Sequence, residues 1–302
     1  MDPNRFHFGL VGFPLSHSLS PKLHQAALRE LGLLGDYTLF PIAPGPEIQI
    51  KLSKVLDQIR AGILSGVNIT IPYKQTVIPL LDQLTPVARA TGAVNTIFKQ
   101  DDPQGVAGAN RLVGDNTDVT GFGCDLLDGG LDYRTNPGLA LVLGGGGAAR
   151  AVVYVLAMAG WKVTIAARRL DQAGSISQDI RPYLSCDALS PVLLSGPALR
   201  RCVDGFTLIV NTTPLGMTPN IGTSPWSDDL KFPSHGLVYD LVYNPPETVF
   251  LHQAHMAGLT TRNGLGMLVR QAAASFERWT GRVPPYDAMW KAVHESARNL
   301  ED

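Results

Sequence analysis

The sequence predicts an α/β fold with a mostly parallel sheet, and three observations predict it. Short apolar runs alternate with helix-length stretches in a βαβα rhythm. A run of four glycines follows an apolar segment and opens a helix. The 302 residues, 45% of them hydrophobic and 17% charged, hold enough apolar material for a sizeable core and suggest two domains.

In chain order, Phe8 to Phe13 reads as a strand and Pro21 to Leu31 as a helix. Ser20 before Pro21 fits a helix N-cap with proline at the first position. Tyr37 to Ile42 and Val67 to Ile71 are further strands, with Ile48 to Arg60 a helix between them. The rhythm then returns more strongly. Leu139 to Leu143 is an apolar run, followed by the glycines and a helix through Ala159. Lys162 to Ala166, Thr207 to Val210 and Leu237 to Leu241 are strands. Near the end Leu265, Leu268, Ala272, Phe276 and Trp279 recur at helical steps. Linkers are expected around Gly105 to Gly114 and at Asn263-Gly264.

A net charge of −1 without a long Lys/Arg run gives no electrostatic reason to expect nucleic acid or an anionic membrane as partner. Cys124, Cys186 and Cys202 form no C-x-x-C, so neither a disulfide framework nor a zinc knuckle is supported. Residues Met1 to Asn4 do not open a signal peptide, and no stretch matches a spanning helix. A cytoplasmic protein is expected.

Gly144-Gly145-Gly146-Gly147-Ala148-Ala149 fits G-x-G-x-x-A in the strand-to-helix context that dinucleotide binding needs. Gly144 allows the tight turn, Gly146 lets a pyrophosphate approach the backbone, and Ala149 lets helix and strand pack closely. The helix N-terminus offers N–H groups and a positive dipole end. The next strand ends in Ala167-Arg168-Arg169, where an NAD site carries an acidic residue. A guanidinium pairs with a 2′-phosphate. The cofactor expected from these residues is therefore NADP, on a Rossmann-type domain.

Val67, Ile69 and Ile71 face one side of their strand, Asn68 and Thr70 the other. Two polar residues on a core strand imply something polar facing them. Lys74 follows at the C-terminal end, where ligands sit in α/β sheets, and becomes a candidate acid/base. Asn95-Thr96 and Asn116-Thr117-Asp118 are further polar clusters, the second placed to cap a helix.

These motifs together resemble the shikimate dehydrogenase family over nearly the whole chain. The resemblance rests on Gly12-Phe-Pro-Leu-Ser-His17-Ser18-Leu-Ser20-Pro21-Lys-Leu-His24, Asn68-Ile-Thr70-Ile-Pro72-Tyr-Lys74, Gly92-Ala-Val-Asn95-Thr96 and Asn116-Thr117-Asp118. The glycine loop, Asn211-Thr-Thr213-Pro214-Leu-Gly216-Met217, Tyr243-Asn-Pro245 and Gly266-Met267-Leu-Val-Arg-Gln271 complete the order. It implies NADPH-dependent reduction of 3-dehydroshikimate to shikimate, on the way to aromatic amino acids. It implies a discontinuous substrate-binding domain (1–117 plus 264–302) and an inserted NADP-binding Rossmann domain (118–263), with a cleft between them. Lys74 and Asp118 would be the catalytic pair. Ser18 and Ser20 would hold the substrate carboxylate, and Asn68, Thr70, Asn95, Asp118 and Gln271 its ring hydroxyls, with Tyr243 also on the substrate. Gly144, Gly145, Gly146, Gly147, Ala148, Arg168, Thr213, Met217 and Gly264 would bind the cofactor, Met217 near the nicotinamide.

A carboxylate favours the charged form of a neighbouring amine, the form that donates to a developing alkoxide. The reverse oxidation needs the neutral amine, so it is expected to speed up as pH rises above neutrality. The chain also departs from the family. NADP-dependent members carry Asn-Arg-Thr-x-x-Arg where this chain has Ala167-Arg168-Arg169-Leu-Asp-Gln172, and Gly145 replaces the loop's usual alanine, a change expected to be harmless. NAD therefore stays possible, as does a quinate/shikimate dehydrogenase using NAD or both cofactors. A non-catalytic NADP-binding regulator is the reading of another class, which retention of Lys74 and Asp118 opposes. His252 and His255 lack a third ligand and are read as surface or packing residues, so no metal is expected. Met256, Met267, Phe276 and Trp279 are core candidates. The oligomeric state, monomer or homodimer, is left open.

Overall fold

The computed structural model describes residues 5–101, 110–200 and 203–298. Two compact units divide the chain: Met1–Gly121 with Val269–Asp302, and Phe122–Leu268. The chain passes between them slightly later than the expected breaks after residues 117 and 263.

The first unit carries β1 (Arg5–Gly12), α1 (Ser20–Glu30), β2 (Leu34–Pro41), α2 (Ile48–Arg60) and β3 (Gly66–Ile69). It continues with β4 (Gln83–Leu84), α3 (Pro86–Thr91), β5 (Thr96–Asp101), β6 (Asn110–Asp115) and the start of α4 (Asp118–Asp128). Its sheet runs β2-β1-β3-β5-β6-β4. β2, β1 and β3 are parallel, β5 is antiparallel to its neighbours, and β4 is parallel to β6. Val67, Ile69, Ile97 and Leu112 from three strands pack with Leu52, Leu56 and Ile59 of α2 in one core cluster.

The second unit carries β7 (Leu139–Leu143), α5 (Gly147–Met158), β8 (Lys162–Ala167), α6 (Leu170–Ile180), β9 (Leu189–Leu193) and α7 (Gly196–Leu199). β10 (Leu208–Asn211), β11 (Leu237–Asp240), α8 (Val249–Met256) and β12 (Thr260–Asn263) follow. α9 (Leu265–Thr280) then leads into the first unit, which α10 (Tyr286–Arg298) completes. The second sheet is parallel throughout, in the order β12-β11-β10-β7-β8-β9. Its middle strands are apolar and buried, as parallel strands covered on both faces must be. From β7 the chain winds one way through β8 and β9, then returns to the other side of β7 for β10 to β12. The switch point where ligands bind such sheets lies between β7 and β10.

Several expectations are corrected. The strand expected over Val67 to Ile71 ends at Ile69, because the chain turns at Pro72, and Ile71 is 50% exposed. Residues 110–114 of the expected linker form β6, paired with β5, because Leu112 and Val113 bury their side chains; residues 105–109 lie outside the described residues. Asn263 ends β12 and only Gly264 separates it from α9, so no linker stands there. Ser20 is the first residue of α1 rather than its cap, and Ser18 supplies a hydroxyl that accepts from the Ser20 N–H at 3.3 Å. Met256 is 73% exposed at the end of α8, whereas Met267, Phe276 and Trp279 are buried. Cys202 and residues 1–4 lie outside the described residues. Among the described residues, no helix is long and apolar enough to cross a membrane.

Candidate active site

β3 gives way at Pro72 to a turn that carries Lys74, whose carbonyl accepts from the Val94 N–H. Asp118 opens α4, so its charge meets the positive end of that helix. The two meet. Lys74 Nζ donates to Asp118 Oδ2 at 2.5 Å, with side chains 14% and 5% exposed. The other carboxylate oxygen accepts from Asn95 Nδ2 at 2.8 Å, and the Asp118 N–H is held by Asn116 Oδ1. A buried ion pair adds little net stability, which favours a chemical reason for keeping it.

Asn95, Gln271 and Asn68 of the first unit join this pair. Asn95 Nδ2 also donates to Gln271 Oε1 of α9 at 3.3 Å, while its Oδ1 accepts from the Thr117 N–H at 2.7 Å. Asn68 Nδ2 donates to the Asn95 carbonyl, Thr96 and Ser275, and its Oδ1 accepts from the Tyr37 hydroxyl at 2.9 Å. Tyr37 also has Ser20 nearby, and burial raises its pKa. One network thus links Asn68, Asn95, Gln271, Asp118 and Lys74. Ser20, whose N–H donates to the Ser18 hydroxyl, stands at its edge near Tyr37. Thr70 is half-buried just past β3 and contributes backbone bonds to Val11 and Tyr73. Tyr243 lies in the second unit, half-buried after β11.

Behind Tyr37 the His24 ring stacks at 4.6 Å and 6°, inside a cage completed by Phe8, Phe276 and Trp279. Neither ring nitrogen has a hydrogen-bond partner. Burial lowers the His24 pKa to about 3, the nearby Asn68 amide opposing it only in part. It is neutral at ordinary pH.

In the second unit the candidates gather at the C-terminal ends of strands. Gly144, with φ +126°, turns the chain after β7, and a Cβ there would stand 2.3 Å from Thr212 Oγ1. Only glycine fits. Gly146 occupies the N-cap of α5 without a side-chain cap, and a Cβ built on it meets nothing within 4 Å. That open, uncapped helix N-terminus, followed by Gly147 and Ala148, fits a pyrophosphate. Arg168 is exposed directly after β8, where a 2′-phosphate would be met. Thr213 and Met217 lie in the turn after β10, and Gly264 after β12 donates to the Val242 carbonyl. The residues therefore fit NADP. Gly145 is more than harmless: a Cβ there would lie 2.8 Å from Gln172 Cβ and 3.1 Å from Ala167 Cβ, so the glycine accommodates the neighbouring helix.

Sequence reasoning missed the supports beneath these groups. Thr96, Thr117 and Ser275 form a buried hydroxyl cluster under Asn68 and Asn95, with Thr96 and Ser275 2.7 Å apart. Ser275 falls one helical turn past Gln271, a spacing that puts both on one face. Asp115, held by Arg278 and Thr85, anchors the turn that delivers Asp118. Asp240 and Asn211, the latter already the first residue of the Asn211–Met217 motif, are polar residues ending apolar strands, the sequence signal that marks both as supports.

Comparison with known proteins matches residues 10–97 to the shikimate dehydrogenase substrate binding domain and residues 264–294 to the shikimate 5'-dehydrogenase C-terminal domain. The chain is 41% identical over 287 residues to a shikimate dehydrogenase (NADP(+)) of Salinibacter ruber, covering 94% of this chain and 95% of that one. It resembles the crystal structure of shikimate 5-dehydrogenase from Thermus thermophilus in complex with NADP(H) and shikimate, with TM-score 0.79, 36% identity and coverage of 96% and 99%. It also resembles the enzyme from Listeria monocytogenes in complex with shikimate and NAD, with TM-score 0.81, 31% identity and coverage of 97% and 98%.

Proposed function

The chain belongs to the shikimate dehydrogenase family, and from that membership and its buried Lys74–Asp118 pair we infer that it catalyses the reversible, NADPH-dependent reduction of 3-dehydroshikimate to shikimate in aromatic amino-acid biosynthesis. It is an oxidoreductase acting on a secondary alcohol, with NADP as cofactor and a small molecule as substrate. The single observation that carries the mechanism is the 2.5 Å contact of Lys74 Nζ with Asp118 Oδ2.

When bound, NADPH supplies the hydride. Reduction leaves negative charge on the carbonyl oxygen, and Lys74 Nζ donates the proton that neutralises it. Asp118 Oδ2 holds the amine in place, and Asn95 and the N-terminus of α4 hold Asp118. General acid–base help of this kind contributes on the order of 10²–10⁴ in rate. In this reading the hydroxyls of Ser18 and Ser20 donate to the substrate carboxylate, while Asn68, Thr70, Asn95, Gln271 and Tyr243 orient the ring. The Gly144–Ala148 backbone takes the pyrophosphate, Arg168 the 2′-phosphate, and Thr213, Met217 and Gly264 the nicotinamide end. Apart from Tyr243, substrate binding falls to residues of the first unit, and NADP binding falls to the second. The proposed location is the cytoplasm, where NADPH is supplied.

The departure at Gln172 favours a second reading, in which NAD or quinate is also used. Initial rates with shikimate and quinate, each against NADP+ and NAD+, test both. Shikimate with NADP+ is expected to give the highest kcat/KM. Faster turnover of quinate with NAD+ would replace the first reading by the second, and no turnover in any combination would leave a non-catalytic NADP-binding protein.

A further inference from the structure

In the second unit, two fully buried polar residues end neighbouring strands and take no part in the chemistry above. Asn211 and Asp240 are paired across β10 and β11, and both are 0% exposed. Burying a carboxylate among neutral groups is costly, so packing alone does not account for Asp240. Its Oδ1 accepts from Asn211 Nδ2 at 2.9 Å and from the Val242 N–H at 3.0 Å, and its Oδ2 accepts from the Thr248 hydroxyl at 2.7 Å.

Those bonds fix which end of the Asn211 amide faces away from Asp240. With Nδ2 held by the carboxylate, Asn211 Oδ1 accepts from both the N–H and the hydroxyl of Thr213, at 2.9 and 2.7 Å. Thr213 Oγ1 in turn accepts from the Leu215 N–H, and the Met217 N–H closes the turn on the Pro214 carbonyl. The carboxylate thus orients the Thr213–Met217 turn at one remove. A doubly wound sheet takes one mononucleotide on each half. The glycine turn after β7 and Arg168 after β8 serve the first half, so the turn after β10, first strand of the second half, serves the nicotinamide half.

We propose that Asp240 is a positioning residue for the cofactor: acting through Asn211, it holds the Thr213–Met217 turn in the arrangement that seats the nicotinamide ring. The proposal rests on the reading of this chain as NADP-dependent. The groups hydrogen-bonded to the carboxyl are the Asn211 amide from β10, the Val242 N–H after β11 and the Thr248 hydroxyl that caps α8, all neutral. Burial pushes the Asp240 carboxyl up to about 6, its three hydrogen bonds opposing in part. Above that pH the carboxylate accepts three hydrogen bonds. Below it the carboxyl carries a proton facing three donors, and the hold on Asn211 weakens.

The test is isothermal titration with two ligands, NADP+ and ADP-ribose 2′-phosphate, which is NADP+ without its nicotinamide ring. In Asp240→Asn, a neutral isostere, the Kd for NADP+ is expected to rise about tenfold at pH 8, roughly 1.4 kcal/mol, while the Kd for the ring-less ligand stays within about twofold. In the unmutated chain the ratio of the two Kd values should rise as pH falls through about 6. The 2′-phosphate titrates in the same range, but both ligands carry it and its effect cancels. In the variant the ratio should be flat. If Asp240→Asn fails to fold, the ratio in the unmutated chain decides alone. Equal loss of both ligands in the variant, or a flat ratio in the unmutated chain, overturns the proposal. An unmutated chain that binds NADP+ but turns over no substrate overturns the catalytic reading and leaves this titration able to decide. One that binds no NADP+ overturns both.

Discussion

The two units place their candidate binding residues in opposite ways. In the second, the sheet is parallel and apolar through its middle, and the polar groups stand at strand ends: the glycine turn after β7, Arg168 after β8, Asn211 on β10 and Asp240 on β11. In the first, polarity runs into the sheet itself. Asn68 lies within β3, Thr96 opens β5, and both meet Ser275 of α9 in a buried network. The contrast shows two physical solutions. A helix N-terminus and backbone N–H groups suffice for a phosphate, so the second unit needs few side chains. On the proposed reading the substrate carries several ring hydroxyls besides its carboxylate, and hydroxyls need directional partners, for which the first unit offers a lattice of amides and hydroxyls that must all be satisfied.

If that lattice serves catalysis, its charged member should dominate. Asp118→Asn removes the carboxylate from Lys74 while keeping the Asn95 side of the contact. Turnover of shikimate is expected to fall by on the order of 10²–10³, with NADP+ affinity unchanged. A loss confined to NADP+ affinity would move Asp118 out of the first unit's chemistry.

A smaller effect separates the units by pH. His24 is neutral and caged in the fold, so the unfolded chain takes up a proton that the folded one refuses. Stability from this residue is complete above the ordinary value of 6.5 and is lost as pH falls from there toward about 3. By pH 5 the loss is about 2 kcal/mol. The raised carboxyl of Asp240 has the opposite sign: its contribution is present at acid pH and is lost as pH rises through about 6. His24→Phe keeps a ring against Tyr37 and removes the two unpartnered nitrogens. Denaturant unfolding at pH 5 should show the variant about 2 kcal/mol less affected by acid than the unmutated chain. Identical acid dependence would show that His24 does not set it.

The smallest expected effect lies in the glycine turn. Gly145→Ala places a Cβ 2.8 Å from that of Gln172, so α6 must yield. A loss of about 1 kcal/mol is expected in thermal or denaturant unfolding, as for a modest overpacking. A variant of unchanged stability would show that α6 yields freely.

The same contrast explains what the sequence disclosed. The turn from Gly144 to Ala149 is contiguous and its context is a strand followed by a helix, so its form was legible at once. The place of Arg168 directly after a strand was legible for the same reason. Lys74 and Asp118 were legible from pattern only as polar residues at element ends; their pairing was expected from the family resemblance alone, because 44 positions separate them and no periodicity encodes the contact. Residues 110–114 looked like linker because glycines and polar residues surround them, yet pairing with β5 makes them part of a strand. Ser275 and Tyr37 stayed invisible as site components, since a serine in a helix and a tyrosine in a strand are ordinary until Asn68 is seen between them.

The most direct test of the central assignment is Lys74→Ala, measured for shikimate turnover with NADP+ and for shikimate binding by calorimetry. Turnover is expected to drop by at least about 10² while the Kd for shikimate stays within a few-fold. Undiminished turnover would contradict Lys74 as the proton donor.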